Sequence, residues 1–99
     1  MKLSSKFEVI TFIKDSALKK EAMESLNPKM LVETHVVAIV AHKSKKIFLW
    51  QGALTEMREI FQAMDYFNER IKTESEYPGY TIEREVDGGE SDDFDNLFN

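Results

Sequence analysis

The sequence predicts an α+β sandwich, a central sheet between one long helix and one or two short helices, and three observations carry that prediction. β-Branched and aromatic runs at Phe7–Ile13, Val36–Ala41, Ile47–Trp50 and Tyr80–Val86 read as strands. From Leu54 to about Thr73 the apolar residues recur three or four positions apart, the mark of a helix with one buried face. The polar stretch His42–Lys46 joins two apolar runs, so a hairpin sits at the centre of the sheet. Strands interleaved with helices around such a hairpin give layers.

Each element has its own warrant. Phe7–Ile13 is a strand by composition. Ser16–Leu26 carries Ala17, Leu18, Ala22, Met23 and Leu26 at helical spacing before Asn27-Pro28 stops it, which fits a short helix or a collapsed loop. Met30 to Ala41 is rich in Val and Ile, and Val36–Ala41 has no charge, as a central strand covered on both faces would. In the long helix, Met57, Ile60, Phe61, Met64, Phe67 and Ile71 form the apolar stripe, and Thr55 can cap it with Glu56 and Glu59 near its positive end. Tyr77-Pro78-Gly79 turns the chain into the strand Tyr80–Val86, and Asp87-Gly88-Gly89 turns it again. Ser91 can cap a final short helix with Phe94, Leu97 and Phe98 facing inward.

Composition narrows the function. Ninety-nine residues make one domain, 1–99, too small for a multidomain enzyme. No run reaches the roughly 18 apolar residues of a membrane helix, and Met1–Ser5 lacks an apolar signal core, so the expected compartment is cytoplasmic. Without cysteine there is no disulfide framework, thiolate cluster or thiol nucleophile. The net charge of −5 divides unevenly, with nine Lys/Arg against five Asp/Glu in residues 1–50 and four against thirteen in residues 51–99. That balance supplies no broad basic face for nucleic acid. Lys43, Lys45 and Lys46 offer at most a weak phosphoinositide contact, and a charged hairpin tip is well solvated without one. No glycine elbow, phosphate-cradling loop or metalloprotease helix motif is present, so the chain reads as a binding module and not an enzyme.

One ordered set of motifs is more specific. Val36–Ala41, then Trp50-Gln51-Gly52, then Glu56 at the start of the long helix, then Val86-Asp87-Gly88-Gly89-Glu90, then Phe94 and Phe98 follow one another from roughly Leu31 to Phe98. In that order and spacing they resemble a single repeat of the gelsolin/villin family, and a lone repeat is similar to the compact gelsolin-like proteins of actin-bearing archaea. Within the motif, Gly52 is expected to supply a positive φ at the turn from strand to helix. Trp50, Phe94 and Phe98 are expected to be scaffold.

The resemblance implies actin as partner, as monomer or filament end, with the long helix inserted at the barbed-end cleft. A single module would then sequester monomers or cap barbed ends rather than sever. The same fold also serves as a structural or non-actin interaction domain, which is the competing reading. On the helix, Met57, Phe61, Met64 and Ile71 are expected to face the sheet. Glu59, Gln62, Ala63, Tyr66 and Arg70 are then expected toward the partner, with Ile60 and Phe67 at the edge and Tyr66 as anchor. The resemblance further implies calcium. His35 stands where the family usually has its calcium-binding Asp, and the sequence ends at Asn99, before the family's last carbonyl ligand. An imidazole in place of a carboxylate weakens a calcium site. Glu56 and Asp65 are the remaining candidate ligands, Asp65 matching the acidic residue that in some repeats shares calcium with actin.

Overall fold

Opposite faces of two neighbouring strands divide the core in two. The computed structural model describes residues 6–13 and 17–98. It pairs β3 (Val36–Ala41) with β4 (Lys46–Gln51) in antiparallel register, Val36 opposite Gln51 and Ala41 opposite Lys46. Every residue of β3 is buried. Successive strand side chains point to opposite faces. Val36, Ala38 and Val40 therefore join Ile47 and Leu49 in one cluster, while Val37, Ile39 and Ala41 join Phe48 and Trp50 in the other.

The remaining strands extend this pair on both sides. β1 (Phe7–Ile13) lies antiparallel to β3, β2 (Ala17–Met23) lies antiparallel to β1, and β5 (Thr81–Val86) lies parallel to β4. The order is β2-β1-β3-β4-β5, a mixed sheet. Parallel neighbours need a crossover, and α1 (Met57–Lys72) provides it on one face. The other face is covered by α2 (Asp92–Asn96) through Phe94, with Leu97 and Phe98 packed beside it. The hydroxyl of Ser91 accepts from the Phe94 amide at 3.2 Å, the cap expected of it.

Three expectations are corrected. Residues 17–23 form a strand where a helix or loop was expected, and Ser16 lies outside the described residues. Pairing with β1 along all seven residues outweighs a three-to-four spacing of small apolar residues, and the exposed Lys19, Lys20 and Glu21 mark a charged edge strand. Second, the Val- and Ile-rich run from Met30 does not extend as one strand. Pro28–Met30 makes a single 3₁₀ turn in which the Asn27 side-chain oxygen accepts from the Lys29 amide at 2.9 Å, and pairing begins only at Val36. Third, Gly52 does not have a positive φ. Its hydrogen faces the backbone of Glu33, where a Cβ would come within 2.6 Å of the carbonyl carbon. Glycine is required there for close approach of two chain segments, not for an unusual backbone angle.

Candidate protein-binding surface on the long helix

The chain enters α1 through a tightly bonded corner. The Gly52 amide donates to the His35 carbonyl at 3.1 Å and the Leu54 amide to the Glu33 carbonyl at 2.9 Å, pinning the 33–35 turn beneath the helix start. Thr55 donates its hydroxyl to the Gly52 carbonyl at 2.7 Å and so is not the cap. The helix begins two residues later than Thr55, with Glu56 at the cap position and its amide donating to Glu59 Oε1 at 3.2 Å. A carboxylate reaching back to the first turn meets amides that lack a helical acceptor.

The buried stripe of α1 is rotated by roughly a quarter turn, at 3.6 residues per turn, from the one expected. Ile60, Ala63 and Phe67 are fully buried, and Glu59 is buried at 8% exposure, so four of the residues assigned to the partner side or its edge lie inside. Met64 and Ile71 pack at the margin of the same cluster. Met57 and Phe61, expected to face the sheet, are 51% and 50% exposed, and Leu54 just before them is 65% exposed. The physical reason is the small size of Ala63, which sits between Ile60 and Phe67 on the line facing the sheet and lets the helix lie close. The large side chains Met57 and Phe61 mark a face one flank away from the buried one. A signal was available: apolar positions on this helix span more than the roughly 100° one buried face needs, and the surplus has to be exposed.

The two flanks differ. Toward β1, Tyr66 meets Phe12 edge-on at 5.4 Å, and the Arg70 guanidinium lies 3.5 Å from the centroid of the Tyr66 ring. Arg70 also donates to Glu76 Oε1 at 3.1 Å and to the Tyr66 carbonyl at 2.9 Å. Lys20 sits 3.5 Å from both Glu8 and Glu76, and the Tyr77 hydroxyl donates to Glu8 at 2.6 Å. Burial, followed by that bond to Glu8, pushes the Tyr77 phenol far above its usual range, so it stays a donor. The charged groups Arg70, Glu76, Lys20 and Glu8 and the Tyr77 hydroxyl of this flank are thus engaged with one another. Toward β5, Met57 Sδ lies 3.9 Å from the Gln51 amide nitrogen, and Phe61 follows one turn along. Gln62 and Asp65 are exposed beside them.

The carboxylates singled out for metal do not converge. Among the described residues no group of three or more His, Asp or Glu side chains is placed to hold an ion. Glu56 pairs with Arg58 at 2.9 Å. Asp65 lines a shallow concavity of about 500 Å³ with Asn68, Glu69, Lys72 and Thr73. His35 Nδ1 and Glu59 Oε2 are both buried without a hydrogen-bond partner. Lys43 and Lys45 are exposed on the 42–45 turn, and Lys46 lies 3.7 Å from Asp93.

On the opposite face Trp50 is 2% exposed and donates its indole N–H to Glu90 at 2.8 Å. That bond holds the Glu90 carboxyl below its usual range. Glu85, also buried, accepts from the Ser91 amide and hydroxyl, both at 2.8 Å. The signature Val86-x-Gly88-x-Glu90 is thus the device that ties β5 and the start of α2 to β4.

This architecture recurs in solved structures. The chain aligns with one in the crystal structure of the Thorarchaeota ProGel/rabbit actin complex at a TM-score of 0.69 and 24% identity, over 94% of this chain and 99% of that one. By fold the chain is a gelsolin-like domain. It also aligns over its whole length with a chain in the Thorarchaeota 2DGel3/rabbit actin complex, at a TM-score of 0.70 and 18% identity, spanning half of that chain. No protein-family model and no curated protein matches the sequence.

Proposed function

We propose that this gelsolin-like domain binds actin through the outward apolar stripe Leu54, Met57 and Phe61, sequestering monomers or capping barbed ends. The observation that carries the reading is that stripe. Three large apolar side chains, each at least half exposed, lie together at the start of the longest helix. Its fold is one whose Thorarchaeota neighbours were crystallised with rabbit actin. Clustered exposed apolar side chains mark an interaction surface, and aromatic side chains in such clusters are frequent energetic anchors. Phe61 takes the anchor role in place of Tyr66, whose ring is already engaged by Arg70 and Phe12. Gln62 and Asp65 form the polar rim beside it.

The donor set argues against calcium held by the module alone. An imidazole at residue 35 and a Glu56 engaged by Arg58 leave too few hard oxygens for an ion that takes six to eight. Asp65, exposed and next to the proposed contact, is the residue able to lend a carboxylate to an ion completed by the partner.

Assembly of pyrene-labelled rabbit actin tests the function. The wild-type domain should slow elongation, at substoichiometric dose if it caps ends and at stoichiometric dose if it sequesters monomers. A Met57→Asp, Phe61→Asp double variant should have no effect on assembly while keeping the wild-type circular dichroism. Inhibition undiminished in that variant would refute the stripe, and a wild-type domain without effect would favour the non-actin interaction module.

A further inference from the structure

We propose that the partner-binding surface is not confined to the helix but turns across the sheet onto the end of β5, with Val86 as a second apolar contact and Arg84 as its charged rim. This rests on the actin reading above and specifies which side of α1 the partner covers. The described residues include five exposed large hydrophobic side chains, namely Val32, Leu54, Met57, Phe61 and Val86, and all lie near the pole where β4 and β5 end and α1 begins. Scattered single exposures would need no explanation. Five gathered at one end do.

The continuity can be traced atom by atom. Ile82 packs into the α1-side cluster, so Val86, four residues on, points to the same face of β5 as α1. Val86 is opposite Gln51 in the parallel register. Gln51 turns its amide nitrogen to Met57 Sδ at 3.9 Å and receives Arg84 Nη on its amide oxygen at 3.0 Å. Gln51 therefore forms the floor between the helix stripe and the strand end, with Met57 on one side and Val86 and Arg84 on the other. The opposite flank is closed by the Tyr66, Arg70 and Glu76 contacts and by Lys20. A partner that seeks apolar area is met on the β5 side only. The occupant is the same actin molecule that takes Phe61, because Gln51, in contact with both Met57 and Arg84 and opposite Val86 in the register, sets the strand end directly beside the helix stripe.

The chain has no cysteine, which permits single-site labelling. Val86→Cys and, as the control on the far edge strand β2, Lys19→Cys are each labelled with an environment-sensitive fluorophore and titrated with monomeric rabbit actin. A blue-shifted rise at residue 86 with no change at residue 19 is the expected result. In parallel, Val86→Asp should weaken binding by about tenfold, the loss typical of a secondary interface contact, and Val86→Ser, which keeps a small side chain at the strand end, should weaken it less. Unchanged fluorescence at residue 86 together with affinity within twofold of wild type for both variants, while Phe61→Asp still abolishes binding, would overturn the extension and leave the helix reading standing. Failure of the wild-type domain to bind would instead overturn the reading itself.

Discussion

Across the sheet from each other, the two helices leave different surfaces. α2, with five residues, seats Phe94 at 1% exposure and has Leu97 and Phe98 packed at its end, so its apolar side chains go into the fold. α1, with sixteen, buries Ile60, Ala63 and Phe67 and still leaves Met57 and Phe61 half exposed. A helix of one or two turns has no stability of its own and persists only by packing. A long helix can hold its shape while presenting a second apolar flank. The comparison teaches that apolar side chains in this chain go to two places, into the core and onto the exposed outer flank of α1, and that stability measurements should separate them.

The sharpest break in the comparison lies within α1 itself. Ala63→Asp places a carboxylate at a fully buried position between Ile60 and Phe67, and an uncompensated buried charge costs about 5 kcal/mol. That is comparable with the whole stability of a small domain. Phe61→Asp, two residues earlier and half exposed, should stay within about 0.5 kcal/mol of wild type. Urea midpoints of the two variants measure the difference. Equal destabilisation would mean that Phe61 belongs to the core and that α1 has no free flank.

A somewhat smaller effect is expected on the closed face. Trp50→Ala removes a buried indole and should cost about 3–4 kcal/mol, again read from the urea midpoint. Trp50→Phe keeps most of the apolar volume but removes the N–H that Glu90 accepts. The Glu90 carboxyl is lowered from 4.5, so its share of stability is present above that pH and is lost as pH falls through the folded value. The phenylalanine variant should therefore show a shallower loss of stability on acidification below 4.5 than wild type. A parallel acid limb in both proteins would show that the bond to Trp50 does not hold Glu90.

Much of this was legible in the sequence, and what was not has identifiable causes. The strands β1, β3, β4 and β5 and both helices follow from apolar runs, turn residues and the Ser91 cap, because in those segments local preference and tertiary packing agree. β2 was not legible, since an edge strand carrying Lys19, Lys20 and Glu21 derives its conformation from β1 and not from its own residues. Gly52 is necessary for a reason other than the positive φ expected of it, as sequence cannot show that Glu33 lies against it. The rotation of α1 escaped for a related reason. Whether Ala63 or Phe61 faces the sheet depends on how closely the helix approaches, and periodicity gives the width of an apolar band but not the part that is covered.

The smallest expected effect concerns calcium, and it bears on the same corner that joins the two surfaces. His35 and Glu59 place two buried polar atoms, Nδ1 and Oε2, without hydrogen-bond partners, on the strand-leading turn and the first turn of α1 respectively. A module whose anchoring position is an imidazole should show no change in melting temperature when calcium is added to the free domain, because ligand stabilisation scales as RT ln(1 + [L]/Kd) and the affinity is too low to matter. His35→Asp should change that. With a carboxylate at residue 35 added to the buried, unpartnered Glu59 Oε2, millimolar calcium should raise the melting temperature, by an amount corresponding to about 2.7 kcal/mol if the ion is present at a hundred times its dissociation constant. Calorimetric titration of both proteins reads the outcome directly. A micromolar site in the wild-type domain would mean that backbone carbonyls and Glu56 suffice without an aspartate, and that the corner under α1 is a metal centre in its own right. Silence in both proteins would mean that Glu59 Oε2 and residue 35 do not face a common point, which would leave Asp65, on the open side of the helix, as the carboxylate free to meet an ion that the partner brings.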